Sequence, residues 1–439
     1  MKLCGARTYV GFGLGAIQSG LFLYEALASG NFSRLVVAEV IPEVVRRVRV
    51  NKGFLTVNIA YADHVKAVPV GPIEIFDPLV EVDRQKLVEA LSYSHEIGTA
   101  VPAIRYYSSG GLDSLCRILA AGLQAKVKRD GPRAVLYAAE NHNHAAEILE
   151  ELVWAEIPLA ERESVCNRVQ YLNTVIGKMS GVITGRSEIE SLGLTPMTPD
   201  SDRAFLVEAF NRILISRISF PEDPLAPAFE RGITTFVEKG DLLPFEEAKL
   251  YGHNATHALA AYMGDMLGIR RIADIPSIPG LFGFLRRAFI EESGQALIHR
   301  YNGIDPLFTP QGYADYANDL LSRMINPWLT DTTERVGRDV ERKLSWEDRL
   351  VGTLRLGLSE GVSPRRYALG TAAALIRLDP GLLTRAVDPA ERLLPLWGAS
   401  PRDSAQESMV LGLIRDALNH LRRWHAESPR DPQALLAEL

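Results

Sequence analysis

Apolar positions in the first third of the chain fall into short, β-rich runs separated by stretches with helical spacing. Residues 7–11 read as a strand, followed by a glycine-punctuated turn and an apolar helix over 21–27. A second buried strand over 34–40 (Arg-Leu-Val-Val-Ala-Glu-Val) leads into a helix over 44–50, and a third over 134–139 leads into one over 141–152. Between them, 63–77 reads as extended segments and 83–95 as an amphipathic helix. Strands alternating with helices predict βαβ units around a parallel-rich sheet. After Pro196 long helical patterns take over, at 203–217, 257–267, 313–323 and 403–424. The Gly/Pro/Thr-containing stretch 192–199 therefore predicts a boundary, with an α/β domain over 1–194 and a mostly α-helical domain over 195–439.

Bulk properties narrow the function classes. At 439 residues the chain exceeds one ordinary domain, and 47% hydrophobic with 23% charged residues describes a globular protein with ample core material. The net charge of −6 argues against a general nucleic-acid binder. Cys4, Cys116 and Cys166 lie far apart in no metal-ligand spacing, which fits a reducing compartment and predicts no cysteine-based metal site. The first residues carry no charged leader with an apolar core, and no apolar run reaches membrane-spanning length. A cytoplasmic protein without nucleic-acid or membrane partners is expected.

Two segments carry candidate chemistry. In Lys249-Leu-Tyr-Gly-His-Asn-Ala-Thr-His257, helical spacing puts Lys249, Asn254 and His257 within an arc of about 140°. One face then offers an amine, an amide and an imidazole, the groups needed to take a proton from an alcohol and stabilise the oxygen left behind. A polar helix face is the bland alternative. The second segment, Gly11-Phe-Gly13-Leu-Gly15-Ala16-Ile17-Gln18-Ser-Gly20, joins the first strand to a helix. Small residues there let the backbone approach a pyrophosphate at the helix N-terminus, as in a Rossmann-like domain. Glu39 ends the next strand, 24 residues beyond Gly15. An acid at that place suits an adenosine ribose hydroxyl and disfavours a 2′-phosphate, so NAD is the expected cofactor; the plain reading is a strand-end carboxylate in solvent.

With these motifs go three more: Thr99-Ala100-Val101, Ala139-Glu140-Asn141, and Asn326-Pro-Trp-Leu-Thr-Asp331 followed by Arg335-Val-Gly-Arg338-Asp-Val-Glu-Arg342-Lys343-Leu. Together, and in this order, they resemble the polyol-specific long-chain dehydrogenases. The resemblance covers most of the chain and thins beyond about Asp379. It implies metal-independent oxidation of a secondary alcohol by a commonly monomeric enzyme, with Lys249 as general base. It also implies that Asn254, Asn141 and His257 hydrogen-bond the substrate, with His257 contributing positive charge near Lys249. Gly13, Gly15, Ala16, Ile17, Glu39, Ala100 and Val101 would line the cofactor, and Arg335, Arg338 and Lys343 would face the substrate. From the residues alone, Asn141 could equally cap the following helix, and the basic cluster could be a solvated face paired with its acidic neighbours. In the family's enzymes for unphosphorylated mannitol a histidine stands where this chain has Arg338. A guanidinium there implies a sugar-alcohol phosphate, such as mannitol 1-phosphate interconverting with fructose 6-phosphate.

This chain departs from the family pattern at Gln18, which replaces the third turn glycine, and at Asn167, where the family has an aspartate. Both leave other readings open: a uronate or unphosphorylated-polyol oxidoreductase, or a dinucleotide-binding sensor without catalysis.

Overall fold

The computed structural model describes residues 7–221, 228–398 and 402–437; Cys4 and the residues bearing on a leader lie outside them. The chain divides into two compact units, Met1–Leu243 and Pro244–Leu439.

The strands of the first unit, in chain order, are β1 (Arg7–Phe12), β2 (Phe32–Ala38), β3 (Leu55–Ala60), β4 (Val65–Val70), β5 (Glu74–Phe76), β6 (Glu96–Thr99), β7 (Ala134–Ala138), β8 (Val169–Val175), β9 (Ser180–Thr184), β10 (Arg203–Glu208), β11 (Leu214–Ser216) and β12 (Val237–Lys239). Eight of them form one sheet in the order β12-β11-β8-β7-β6-β1-β2-β5. Its neighbours from β8 through β5 all pair in parallel, while β11 joins β8 antiparallel. Alternation along the strands feeds two cores. Tyr9, Val37 and Tyr137 pack on one face with the helix after the glycine turn, and Val10, Val36 and Leu136 pack on the other against Leu87, Leu91 and Leu119. The expected parallel-rich α/β sheet is thus present.

The stretch 203–217, expected as a helix, is instead β10 and β11. β10 runs parallel to β3 and antiparallel to β9 in a second, four-stranded sheet ordered β4-β3-β10-β9. Its run Ala-Phe-Leu-Val is apolar on both faces, and such a run fits a buried strand as well as a helix. Pairing with β3, more than a hundred residues away in sequence, settles the choice. These pairings also tie 203–239 to the first unit, so the division falls at 243/244 and differs from the one expected at 194/195. The second unit is helical as anticipated; among its described residues, β-pairing is limited to one isolated bridge, Arg271 with Thr332. No helix among the described residues is long and apolar enough to cross a membrane.

Gly20 marks the contact between the turn helix and the second sheet: a Cβ there would lie 2.5 Å from Cγ1 of Val207 on β10. Gly20→Ala should destabilise the protein by about 1–3 kcal/mol through overpacking. A lowered urea midpoint is expected, and an unchanged one would show that the helix is free to shift off the sheet.

Candidate active site

The glycine turn leaves β1 at Phe12. Gly13 adopts a left-handed φ of 81° and donates its N–H to the Ala38 carbonyl at 2.9 Å, closing the turn onto the end of β2. A side chain at Gly13 would press on the Ala100 carbonyl, whereas one at Gly15 would meet nothing within 4 Å. The backbone at Gly15 is therefore open to an incoming group. Glu39 is 6% exposed, with Oε2 accepting from the Leu14 N–H at 2.6 Å and Oε1 from the Ile41 N–H at 2.9 Å. It is no solvent carboxylate: it pins the turn to the end of β2.

Gln18 is fully buried where the family has its third glycine. Its Nε2 donates to the Tyr9 hydroxyl at 2.8 Å, and the amide occupies the space that a Cβ at Gly11 would need. The helix widens to π geometry over Gln18–Leu23 before continuing as Tyr24–Ser29.

Beyond β6, Glu140 clamps the loop. It accepts from Val101 N–H at 2.9 Å, from the Thr99 hydroxyl at 2.8 Å, and from the Tyr107 hydroxyl. Burial pushes its carboxyl above the usual carboxylate range, opposed by these donors. Gly13, Gly15, Glu39, Ala100 and Val101 consequently line one cavity of about 560 Å³. An open turn, a helix N-terminus and a carboxylate at the next strand end give this cavity the chemistry to hold a dinucleotide. Ala16 and Ile17 form the first turn of the helix, immediately beyond the cavity-lining Gly15. Asn141 follows the clamp and is exposed. It is not a helix cap, because the next helix starts at Ala145 behind His144. Asn167 is the C-cap of Leu159–Cys166 and does not line the cavity, so the lost aspartate removes nothing from it.

In the second unit the Lys249 segment is not an ordinary α-helix. Leu243–Glu247 widens into a π segment over Ala248–Asn254, then resumes as Ala255–Met266. In π geometry residues i and i+5 are bonded neighbours, so Lys249 and Asn254 come into line on one face, more closely than α spacing would bring them. Gly252 permits this: a Cβ there would lie 2.5 Å from the Tyr313 hydroxyl and 2.8 Å from Phe289. Phe289 belongs to another π segment of the second unit, Ala288–Gly294.

The Lys249 amine is drawn down to about 8, first by burial and then by the Arg349 guanidinium, with Glu246 opposing. The positive charge acting on it is Arg349, a residue absent from the sequence reading, where His257 was expected in that part. Arg349 is itself held by Asp348 at 2.8 Å. His253 is buried and held neutral, its pKa forced well down by burial first and by His257 next. His257 has Asp331 as a partner. Its Nε2 lies 3.3 Å from Oδ2 of Asp331, which is 5% exposed and also paired with Arg335. The carboxylate beside Nε2 orients the imidazole ring.

The basic cluster separates. Arg335 is engaged by Asp331, and Arg338 extends into solvent with its side chain 71% exposed, 3.9 Å from Asp339. Lys343, expected to face the substrate, is 3% exposed instead and donates its amine to the Arg338 carbonyl. The left-handed Asp339, with φ of 55°, reverses the chain between them and brings that carbonyl within reach. Among the described residues no group of three or more His, Cys, Asp or Glu side chains is placed to hold a metal.

A titration of the chain labelled by 13C-dimethylation of its lysines checks the Lys249 environment. Its signal should titrate near 8, below the exposed lysines, and Arg349→Gln should move it upward. Titration of Lys249 together with the bulk lysines would contradict the burial of its amine.

Residues 241–380 match the sequence pattern of the Mannitol dehydrogenase C-terminal domain. Mannitol-1-phosphate 5-dehydrogenase of Bacillus licheniformis is 28% identical over 365 residues, spanning 83% of this chain and 86% of that protein. The protein of the same name from Halalkalibacterium halodurans is 28% identical over 363 residues, with the same shares. Mannitol 2-dehydrogenase of Pseudomonas fluorescens, solved as a ternary complex with NAD and D-mannitol, shares the fold at a TM-score of 0.69 and 16% identity, over 98% of this chain and 94% of that one. A substrate-free D-sorbitol dehydrogenase superposes at 0.73 with 13% identity, over 96% and 93% of the two chains. Residues 241–380 thus resemble the mannitol dehydrogenase C-terminal domain, and over most of its length the chain is similar to mannitol-1-phosphate 5-dehydrogenases.

Proposed function

We propose that this chain is an NAD-dependent polyol dehydrogenase acting on a phosphorylated sugar alcohol, with mannitol 1-phosphate and fructose 6-phosphate as its substrate pair. The cavity of the first unit holds the dinucleotide, and Lys249, Asn254 and His257 of the second unit act on the alcohol. The observation that carries the reading is the Lys249 amine, drawn to about 8 on the same wide turn as Asn254. An amine with an ordinary pKa near ~10.4 would be almost wholly protonated at neutral pH and a poor base. Lowered to about 8, a usable fraction is neutral and the conjugate acid remains strong enough to return the proton.

In alcohol oxidation Lys249 takes the hydroxyl proton on Nζ. The Asn254 amide donates to the oxygen as its negative charge develops. His257, oriented by Asp331, hydrogen-bonds the substrate. Bound NAD supplies the acceptor for the hydride leaving the carbinol carbon. The fit of a dinucleotide rests on the open backbone at Gly15 and on Glu39, whose remaining lone pairs can take a ribose hydroxyl. Arg338, exposed and only loosely associated with Asp339, supports the phosphate assignment, since a guanidinium fork matches phosphate oxygens. Names of the curated relatives point to the same substrate class.

The test is NADH oxidation by the purified chain with fructose 6-phosphate, fructose, fructuronate and tagaturonate in parallel. Turnover restricted to the phosphorylated ketose is expected. Turnover on a uronate or free ketose would keep the chemistry and replace the substrate, whereas NADH binding without turnover on any of them would favour a sensor. Lys249→Ala should lower kcat by about 10²–10⁴-fold with NADH affinity unchanged, and an active variant would remove the lysine from its role. Arg338→His should raise KM for the phosphorylated ketose well beyond its effect on fructose; an equal effect on both would remove the phosphate contact.

A further inference from the structure

The dinucleotide cavity has a wall that the glycine turn does not explain. Besides the ends of β1, β2 and β6, it is lined by Val182 of β9 and by Arg203 and Phe205 of β10. These come from the second sheet. Alternation along β10 puts Arg203, Phe205 and Val207 on one face, and Val207 packs against Gly20 of the turn helix. In the β9–β10 register Phe205 stands opposite Val182 and Arg203 opposite Thr184. The face of β10 that meets the turn helix at Val207 thus reaches the cavity at Phe205 and ends there in a guanidinium.

That guanidinium is notable for what surrounds it. Among the described residues its side chain makes no hydrogen bond or ion pair; only its backbone is engaged, the N–H donating to the Ser201 hydroxyl and the carbonyl accepting from the Met197 N–H. The other charged residues lining the cavity are acids, Glu39 and Asp113, and both already accept backbone N–H groups. Arg203 is therefore the one cation on the described lining, half-buried beside two apolar side chains. Partial burial of a charge without a partner is unfavourable, and an anionic ligand removes that cost.

We propose that Arg203 binds a phosphate of the dinucleotide and so serves as a coenzyme-binding residue contributed by the second sheet. The inference rests on the dinucleotide reading of this cavity. Two phosphates offer the same chemistry: the bridging diphosphate common to both coenzymes, and the 2′-phosphate that distinguishes NADPH.

Titration of the full chain with NADH and with NADPH, followed by nicotinamide fluorescence, tests it in wild type, Arg203→Ala and Arg203→Lys. Matching circular dichroism and melting curves check that the variants fold, since Arg203 begins a strand. Loss of a charged hydrogen bond should weaken NADH binding about 10- to 100-fold in Arg203→Ala. Lysine should recover part of the loss, because it keeps the charge without the fork. The alanine variant should also show a shallower salt dependence of affinity. Equal loss for both coenzymes assigns the diphosphate, and loss confined to NADPH assigns the 2′-phosphate. Affinities within about twofold of wild type for both coenzymes, a difference of less than ~0.5 kcal/mol, would overturn the role of Arg203. Failure of the wild type to bind either coenzyme would instead overturn the dinucleotide reading, and this inference with it.

Discussion

Every backbone amide that leaves a sheet inside the protein must find an acceptor, because a buried N–H without one costs as much as a lost hydrogen bond. Parallel strands make the demand acute, since their ends open into loops that pack against one another. Here the acceptor is repeatedly a buried glutamate. Glu39 takes the amides of Leu14 and Ile41, Glu140 that of Val101, Glu208 that of Met179, and Glu96 that of Gly232. In the second unit Glu292 takes the amides of Arg366 and Tyr367 at a helix start, and burial lifts its carboxyl to about 7. Each joins segments far apart in sequence, so the loops that define the cavity are held by charge-assisted bonds rather than by apolar packing alone.

The lysine site shows the complementary use of burial. The Lys249 amine is desolvated beside a like charge, Arg349, and that charge is anchored by Asp348. Asp331 does comparable work for His257 while also holding Arg335. The groups that surround Lys249 and His257 are separate residues contributed by the segments that precede the helices Thr333–Gly337 and Val351–Ser359.

How much of this could be read from the chain depended on whether the deciding contact was local. The strands around the glycine turn and the helical second unit announce themselves through spacing within a dozen residues. The segment 203–217 did not, because an apolar run is ambiguous until its partners β3 and β9 are known. The domain division shifted for the same reason. The π widening at Ala248–Asn254 depends on how closely Phe289 and Tyr313 approach Gly252, which no periodicity records. Arg349 and Asp331 stood in plain sight as charged residues among many, and only their placement distinguishes them. Lys343 shows the reverse failure: a cation in a promising motif whose amine turns inward to a carbonyl.

Gln18 has a consequence for how this chain can change. Its amide fills the space over Gly11 and bonds the Tyr9 hydroxyl, and that hydroxyl in turn stands where a side chain on Gly98 would go. The identities at 9, 11, 18 and 98 are therefore mutually conditional. Putting glycine back at 18 would not restore the commoner turn; it would leave a void and a buried hydroxyl without its donor. Enlarging Gly11 or Gly98 first would collide with side chains already in place. Each single change at these positions therefore costs packing or a hydrogen bond unless the others change with it. The glycine turn of this protein is thus epistatically locked, and sequences that share its Gln18 should be sought as a set of four residues rather than as a deviation at one.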